Sequence, residues 1–252
     1  MPDPRAQGAL SPAGRTEAVD AAAERLGALL AGYFSPLEKL AAAVVATRAA
    51  SPSPSQLTER ALLHLEGSMR EALEGAGVVG VGYIAAPGIV ENRDRYLLWW
   101  QRKDDAVTRL RLNFDPSSVD VYDYLTMDWF VRAREGAGHV VYGPYVDYTG
   151  ADHYIFTLTA PARSAEGEYL GVAGCDVLMT SVERALIDAL RECPRDTVVV
   201  SSERRVIAVN SPRWVIGARL PTMPDAGSGD FVAVADVGLD SGWVVSSAVP
   251  EE

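Results

Sequence analysis

Residues 142–177, YGPYVDYTGADHYIFTLTAPARSAEGEYLGVAGCDV, form the core of three strands in direct succession. Apolar, aromatic and β-branched residues fill HVVYGPYVDY (139–148), HYIFTLTAPAR (153–163) and LGVAGCDVLM (170–179). The two connections, TGAD and SAEGEY, are short and rich in turn formers. Links that short join antiparallel neighbours, because a parallel pair needs a crossover of about a dozen residues or more. The fold class follows as α+β, an antiparallel sheet with its helices segregated from it.

The same texture extends upstream. VVGVGYIAA (78–86), YLLWWQR (96–102) and VTRLRLNF (107–114) read as strands, the last alternating Thr108, Leu110, Leu112 and Phe114 with Arg109, Arg111 and Asn113. DYLTMDWFVRARE (123–135) reads as a short helix, with Asp128 near its N-terminus where a carboxylate suits the macrodipole. Before the sheet, TEAVDAAAERLGALLAGYF (16–34) sets Val19, Leu26, Leu29, Leu30 and Phe34 on one helical stripe, with Thr16 as its expected cap. Ser35-Pro36 predicts a break and a second helix, SPSPS (51–55) another break, and residues 56–75 a third helix. A helix over 180–193 leads into a smaller set of strands at 197–202, 206–211, 230–237 and 242–250. The expected division is a helical region at 1–55, a larger sheet module at 56–192 and a smaller one at 193–252.

Composition narrows the function. The chain has 252 residues, 48% of them apolar and 23% charged, which is ordinary globular material. A net charge of -11 and no basic run argue against a nucleic-acid partner. Two cysteines give no disulfide framework and no metal signature. No leader pattern and no continuous apolar run of spanning length stand out, so the expectation is a cytoplasmic protein without a membrane span.

The chemistry gathers in Tyr122, Trp129, Phe130, Tyr145, Asp147 and Asp176. Tyr145 and Asp147 share a strand face by their spacing of two, and Asp176 ends an apolar strand where an ionised carboxylate needs donors or a cation. From spacing alone the rings serve equally well as core, and Asp176 as a cap for the helix near Thr180. Other candidates are weaker. Asp147, Asp152 and His153 surround turn chemistry rather than a metal site; His64 sits among leucines; Ser181, Ser201 and Ser202 lack a hydrolase setting. GVVGVG (77–82) precedes a strand instead of following one, so it is not a dinucleotide loop.

The stretch from Tyr122 to Asp176, with GPYVDYTG (143–150), the strand ending TLTAP (157–161) and GVAGCD (171–176), resembles the double Cache family of ligand sensors. That resemblance implies two PAS-like modules behind long N-terminal helices, the second smaller, with the ligand in the first. It also implies a non-catalytic function and no cofactor or metal. The amino-acid-binding branch carries a tyrosine, then R-x-W-[YF], then Y-x-D, then a distant aspartate. Here these positions are Tyr122, Met127 to Phe130, Tyr145 to Asp147, and Asp176. Met127 stands where an arginine would pair with the ligand's carboxylate, while the amine-holding half is complete.

The implied ligand is therefore a small amine or quaternary ammonium ion. The first alternative is an amino acid held by a substitute arginine such as Arg109, Arg111 or Arg132. The second is a small-molecule enzyme using Asp147 and Asp176 as an acid–base pair. The family resemblance and the Val19–Phe34 stripe together suggest a homodimer through the N-terminal helices, and the downstream signalling partner is not encoded in the chain.

Overall fold

The computed structural model describes residues 11–51, 56–103, 106–148 and 153–250. It holds five α-helices and ten strands: α1 (Pro12–Ala49), α2 (Glu59–Leu63), α3 (Glu66–Ala72), β1 (Val78–Ala85), β2 (Leu97–Lys103), β3 (Ala106–Arg109), α4 (Asp128–Arg134), β4 (Val140–Asp147), β5 (His153–Arg163), β6 (Tyr169–Leu178), α5 (Met179–Leu190), β7 (Thr197–Val200), β8 (Val206–Val209), β9 (Phe231–Asp236) and β10 (Val244–Ala248). The chain divides into two compact units, Ala31–Ser181 and the described parts of Met1–Leu30 with Val182–Glu252. The divisions fall inside α1 and α5.

In the larger unit six strands form one sheet in the order β3-β2-β1-β6-β5-β4, every pairing antiparallel. The chain builds β1 to β3 as a meander, leaves the sheet over 110–139, and returns to place β6 beside β1. That return brings two distant stretches, 84–112 and 145–176, onto one surface. Val81, Tyr83, Leu158 and Val177 fill the opposite face and are all but inaccessible. In the smaller unit four strands run β8-β7-β10-β9, again antiparallel, over a core of Val198, Val200 and Val206. Trp214 and Phe231 stack there with centroids 6.2 Å apart.

Several expectations about the helices do not hold. Ser35-Pro36 does not break the chain: Pro36 lies inside the single helix α1. Its missing N–H costs one bond to the preceding turn, but the stripe of Leu26, Leu30, Phe34, Leu37, Leu40 and Val44 is buried along the helix and outweighs that loss. The cap is Ser11, whose Oγ accepts from the Gly14 amide at 3.2 Å with Pro12 at the first helical position, and not Thr16. The third predicted helix is two short ones, the first capped by the Thr58 hydroxyl.

Val19, Leu26, Leu30 and Phe34 are buried within the chain itself, so the stripe expected to support a homodimer is used in the fold. Where no membrane span was expected, one helix among the described residues passes a test of length and composition alone. By length and composition α1 is long and apolar enough to cross a bilayer, with an 18-residue window of mean hydropathy 1.3 that is 33% buried. Alanines between the larger apolar residues produce that value without any visible hydrophobic block.

Of the predicted 107–114 strand only Val107, Thr108 and Arg109 lie in the ladder with β2. The alternation nevertheless persists: Leu110, Leu112 and Phe114 pack inward while Arg111 and Asn113 are exposed.

Candidate functional site

The six-stranded sheet has a nearly bare patch at its centre. Directly paired residues of antiparallel strands project on the same face. Gly82 of β1 opposes Gly174 of β6 on one side and Trp99 of β2 on the other, and Gly80 opposes Asp176. With no side chains from Gly80 and Gly82, the Trp99 indole lies flat against β1. A Cβ on Gly80 would stand 2.5 Å from its Nε1, and one on Gly174 would be in ordinary contact with its Cζ3 at 3.5 Å. Gly80 and Gly82 of GVVGVG are thus spacers for an aromatic ring.

Asp176 stands at the edge of this patch. It is paired in register with Thr157 of β5, whose Oγ1 donates to Asp176 Oδ1 at 2.7 Å. Tyr145 of β4 lies 2.7 Å from the same hydroxyl. A threonine has one hydroxyl proton, so when Asp176 is ionised that proton goes to the carboxylate and Tyr145 donates to Thr157. Asp147, two residues along β4, shares the Tyr145 face. The β4–β5 register slips at Gly143-Pro144, between Tyr142 and Tyr145, which re-aims the end of the strand.

The cover comes from the excursion between β3 and β4. The Leu110 amide donates to the Trp99 carbonyl at 2.9 Å, and the chain turns back so that the Tyr122 amide donates to the Asn113 carbonyl at 2.8 Å. Tyr124 anchors it to the sheet, donating from its hydroxyl to the Ala85 carbonyl at 2.8 Å. Helix α4 then presents Trp129.

Between sheet and cover lies a small, partly enclosed cavity. One end is polar, with Tyr122, Tyr145, Asp147, Thr157 and Asp176; Trp99 and Trp129 flank it; Ile84, Leu97, Leu110 and Leu112 form an aliphatic end. Among the described residues no Lys, Arg or His lines it, and none of the described Asp, Glu, His and Cys residues cluster as a metal site.

The electrostatics follow from this enclosure. Asp176 is largely buried, and the area it retains opens on the cavity. Burial pushes its carboxyl from the ordinary 3.8 up to about 7; the Thr157 hydrogen bond pulls it down, and the Asp147 charge pushes it up further. Burial first, then the Asp176 charge, hold the Tyr122 and Tyr145 hydroxyls far above the usual phenol range. Both stay protonated and serve as hydrogen-bond donors.

Of the residues singled out from sequence, Tyr122, Trp129, Tyr145, Asp147 and Asp176 converge on this cavity. Met127 and Phe130 do not line it. Phe130 is fully buried, edge-on to Tyr124 at 5.1 Å and to Tyr169 at 5.6 Å. One residue is about 100° of helix rotation, so α4 cannot aim both Trp129 and Phe130 at one point. Met127 precedes the helix and packs against the same aromatic cluster.

The proposed substitute arginines are elsewhere too. Arg109 is held by Glu59 at 2.9 Å, Arg111 is exposed, and Arg132 is not among the lining residues. Trp99, Thr157 and the four aliphatic residues escaped sequence reasoning. The alternation of YLLWWQR opposite a glycine-spaced strand was the one available sign of Trp99.

Residues 69–184 match the family model described as methyl-accepting chemotaxis protein-like, first PDC sensor domain, a span that contains the whole six-stranded sheet. No curated protein matches the chain in sequence. Solved structures do match in fold. The ligand-binding domain of the Campylobacter jejuni chemoreceptor Tlp3, in complex with L-valine, is 18% identical with a TM-score of 0.54, over 78% of this chain and 70% of that one.

The ligand-binding domain of the Pseudomonas fluorescens chemoreceptor CtaA, also with L-valine, is 17% identical with a TM-score of 0.54, over 96% and 98%. The extracellular domain of the histidine kinase candidate soHK1S-Z6 is 16% identical with a TM-score of 0.55, over 94% and 93%. A long N-terminal helix followed by two antiparallel sheets is the fold of these PAS-like, two-module sensor domains. The cytoplasmic expectation gains nothing from them, since the third is an extracellular domain.

Proposed function

We propose that the chain is a non-catalytic sensor module that binds a small organic cation, most simply an amine, in the cavity of its larger unit. The carrying observation is the lining: two carboxylates and four aromatic rings with no cationic side chain among them. A charge-assisted hydrogen bond contributes about 1.5–3 kcal/mol and an enclosed cation–π contact about 0.5–2 kcal/mol. Two such hydrogen bonds and two or three such ring contacts reach the roughly 8 kcal/mol of micromolar binding before ordering costs are subtracted. An α-amino acid would bring a carboxylate beside two acids with nothing opposite to pair it. The match to a chemotaxis-type sensor domain supports a role in reporting occupancy to a signalling partner outside this chain.

A second reading, amino-acid binding, is favoured by the L-valine complexes of Tlp3 and CtaA. It needs an arginine to reach the cavity, and Arg109 would first have to leave Glu59. Calorimetry with an amino acid and its decarboxylated amine, L-leucine and isoamylamine, separates the two. The amine is expected to bind in the micromolar range and the amino acid at least about tenfold more weakly. Preference for L-leucine would end the amine reading. Isoamylamine consumed during incubation would instead favour the acid–base enzyme.

Affinity is also expected to depend on pH. In the ligand-free protein Asp176 takes up a proton as pH falls through about 7, and an ammonium ion binding there must displace it. Affinity for isoamylamine therefore falls about tenfold per pH unit below 7 and levels off above it. Titrations between pH 5.5 and 8.5, in buffers of different ionisation enthalpy, also count the proton released. A flat profile would remove Asp176 from the contact.

A further inference from the structure

From the two ends of the cavity we infer that its ligand is a primary alkylamine with an apolar tail, rather than a quaternary ammonium ion or a diamine. This rests on reading the cavity as an amine site and narrows it to one class. At the polar end the acceptor is fixed in direction: Tyr145 and Thr157 are each 2.7 Å from the next group along the chain to Asp176. An acceptor held this way rewards an N–H donor, and a quaternary ion has none.

The opposite end carries Ile84, Leu97, Leu110 and Leu112, without a carboxylate or hydroxyl. A second ammonium group would lose its hydration there against hydrocarbon alone. An alkyl tail gains from the same surface.

The test is a calorimetric series: methylamine, ethylamine, propylamine, butylamine and pentylamine, with tetramethylammonium and the diamine putrescine alongside. From ethylamine to pentylamine each added methylene is expected to tighten binding about fourfold, the equivalent of about 0.8 kcal/mol per buried CH₂. Putrescine and tetramethylammonium should bind at least about tenfold more weakly than pentylamine. Leu112→Ala is expected to flatten the slope of the series.

A flat series in the wild type, or putrescine or tetramethylammonium binding as tightly as pentylamine, overturns this inference while the amine reading stands. No binding by any of these cations overturns both. An unchanged slope in Leu112→Ala removes the tail from the aliphatic end.

Discussion

Asp176→Asn is expected to lower isoamylamine affinity about a hundredfold and, in the ligand-free protein at pH 8, to raise the melting temperature by a few degrees. The first effect is the loss of a charge-assisted contact, on the order of 1.5–3 kcal/mol. The second follows from where the carboxyl titrates. Its folded-state value, about 7, lies above the ordinary 3.8, so the folded protein binds the proton more tightly than the unfolded one. The stabilisation this gives is complete below about 3.8 and is lost as pH rises through about 7.

At pH 8 the wild type therefore carries a buried charge with a destabilising cost, from which asparagine is free. The asparagine Oδ1 still accepts from the Thr157 hydroxyl, so the geometry survives. Thermal melts at pH 5 and pH 8 with parallel titrations read both effects. A sharp loss of stability at pH 8 without ligand would make Asp176 a scaffold residue instead of a ligand partner.

Gly82→Ala is expected to be severely damaging for a single added methyl, and Gly80→Ala the contrasting control. A Cβ on Gly82 would lie 2.1 Å from the Leu98 carbonyl oxygen and 2.7 Å from Trp99 Cα, both backbone atoms of the paired strand. Relief requires β1 and β2 to separate. That places the cost at or above about 4 kcal/mol, a fall in melting temperature of at least about 10 °C.

A Cβ on Gly80 meets instead the Trp99 ring, at 2.5 Å from Nε1, and a side chain can shift. The expected cost is about 1–3 kcal/mol, with Trp99 displaced within the cavity it lines and ligand affinity reduced. Thermal melts rank the two stabilities, and isoamylamine titration of Gly80→Ala reads the cavity. A Gly82→Ala protein melting within about 2 °C of the wild type would refute the close approach of the two backbones.

These predictions share a reason with what was legible beforehand. Strand alternation, short turn-forming links and helical stripes are local properties, and from them the sequence alone determined the α+β class, both antiparallel sheets and nearly every strand. It also brought Tyr145, Asp147 and Asp176 forward as candidates, through a spacing of two on one strand and a carboxylate ending an apolar strand, while spacing alone left core and helix-cap readings beside that one. What it misjudged locally, the break at Ser35-Pro36, was decided by burial of the Leu26–Val44 stripe, which outweighs one lost hydrogen bond.

Only the tertiary structure decided which side chains share the cavity. Sheet order β3-β2-β1-β6-β5-β4 is a non-local choice, and it brings Ile84, Leu97 and Trp99 beside residues 145–176. Helical phase turned Phe130 into the core while Trp129 reached the site, and an ion pair with Glu59 withdrew Arg109. Gly80 and Gly82 are the floor under a tryptophan, a role no local pattern shows, because a missing Cβ acquires meaning only from what lies across the strand.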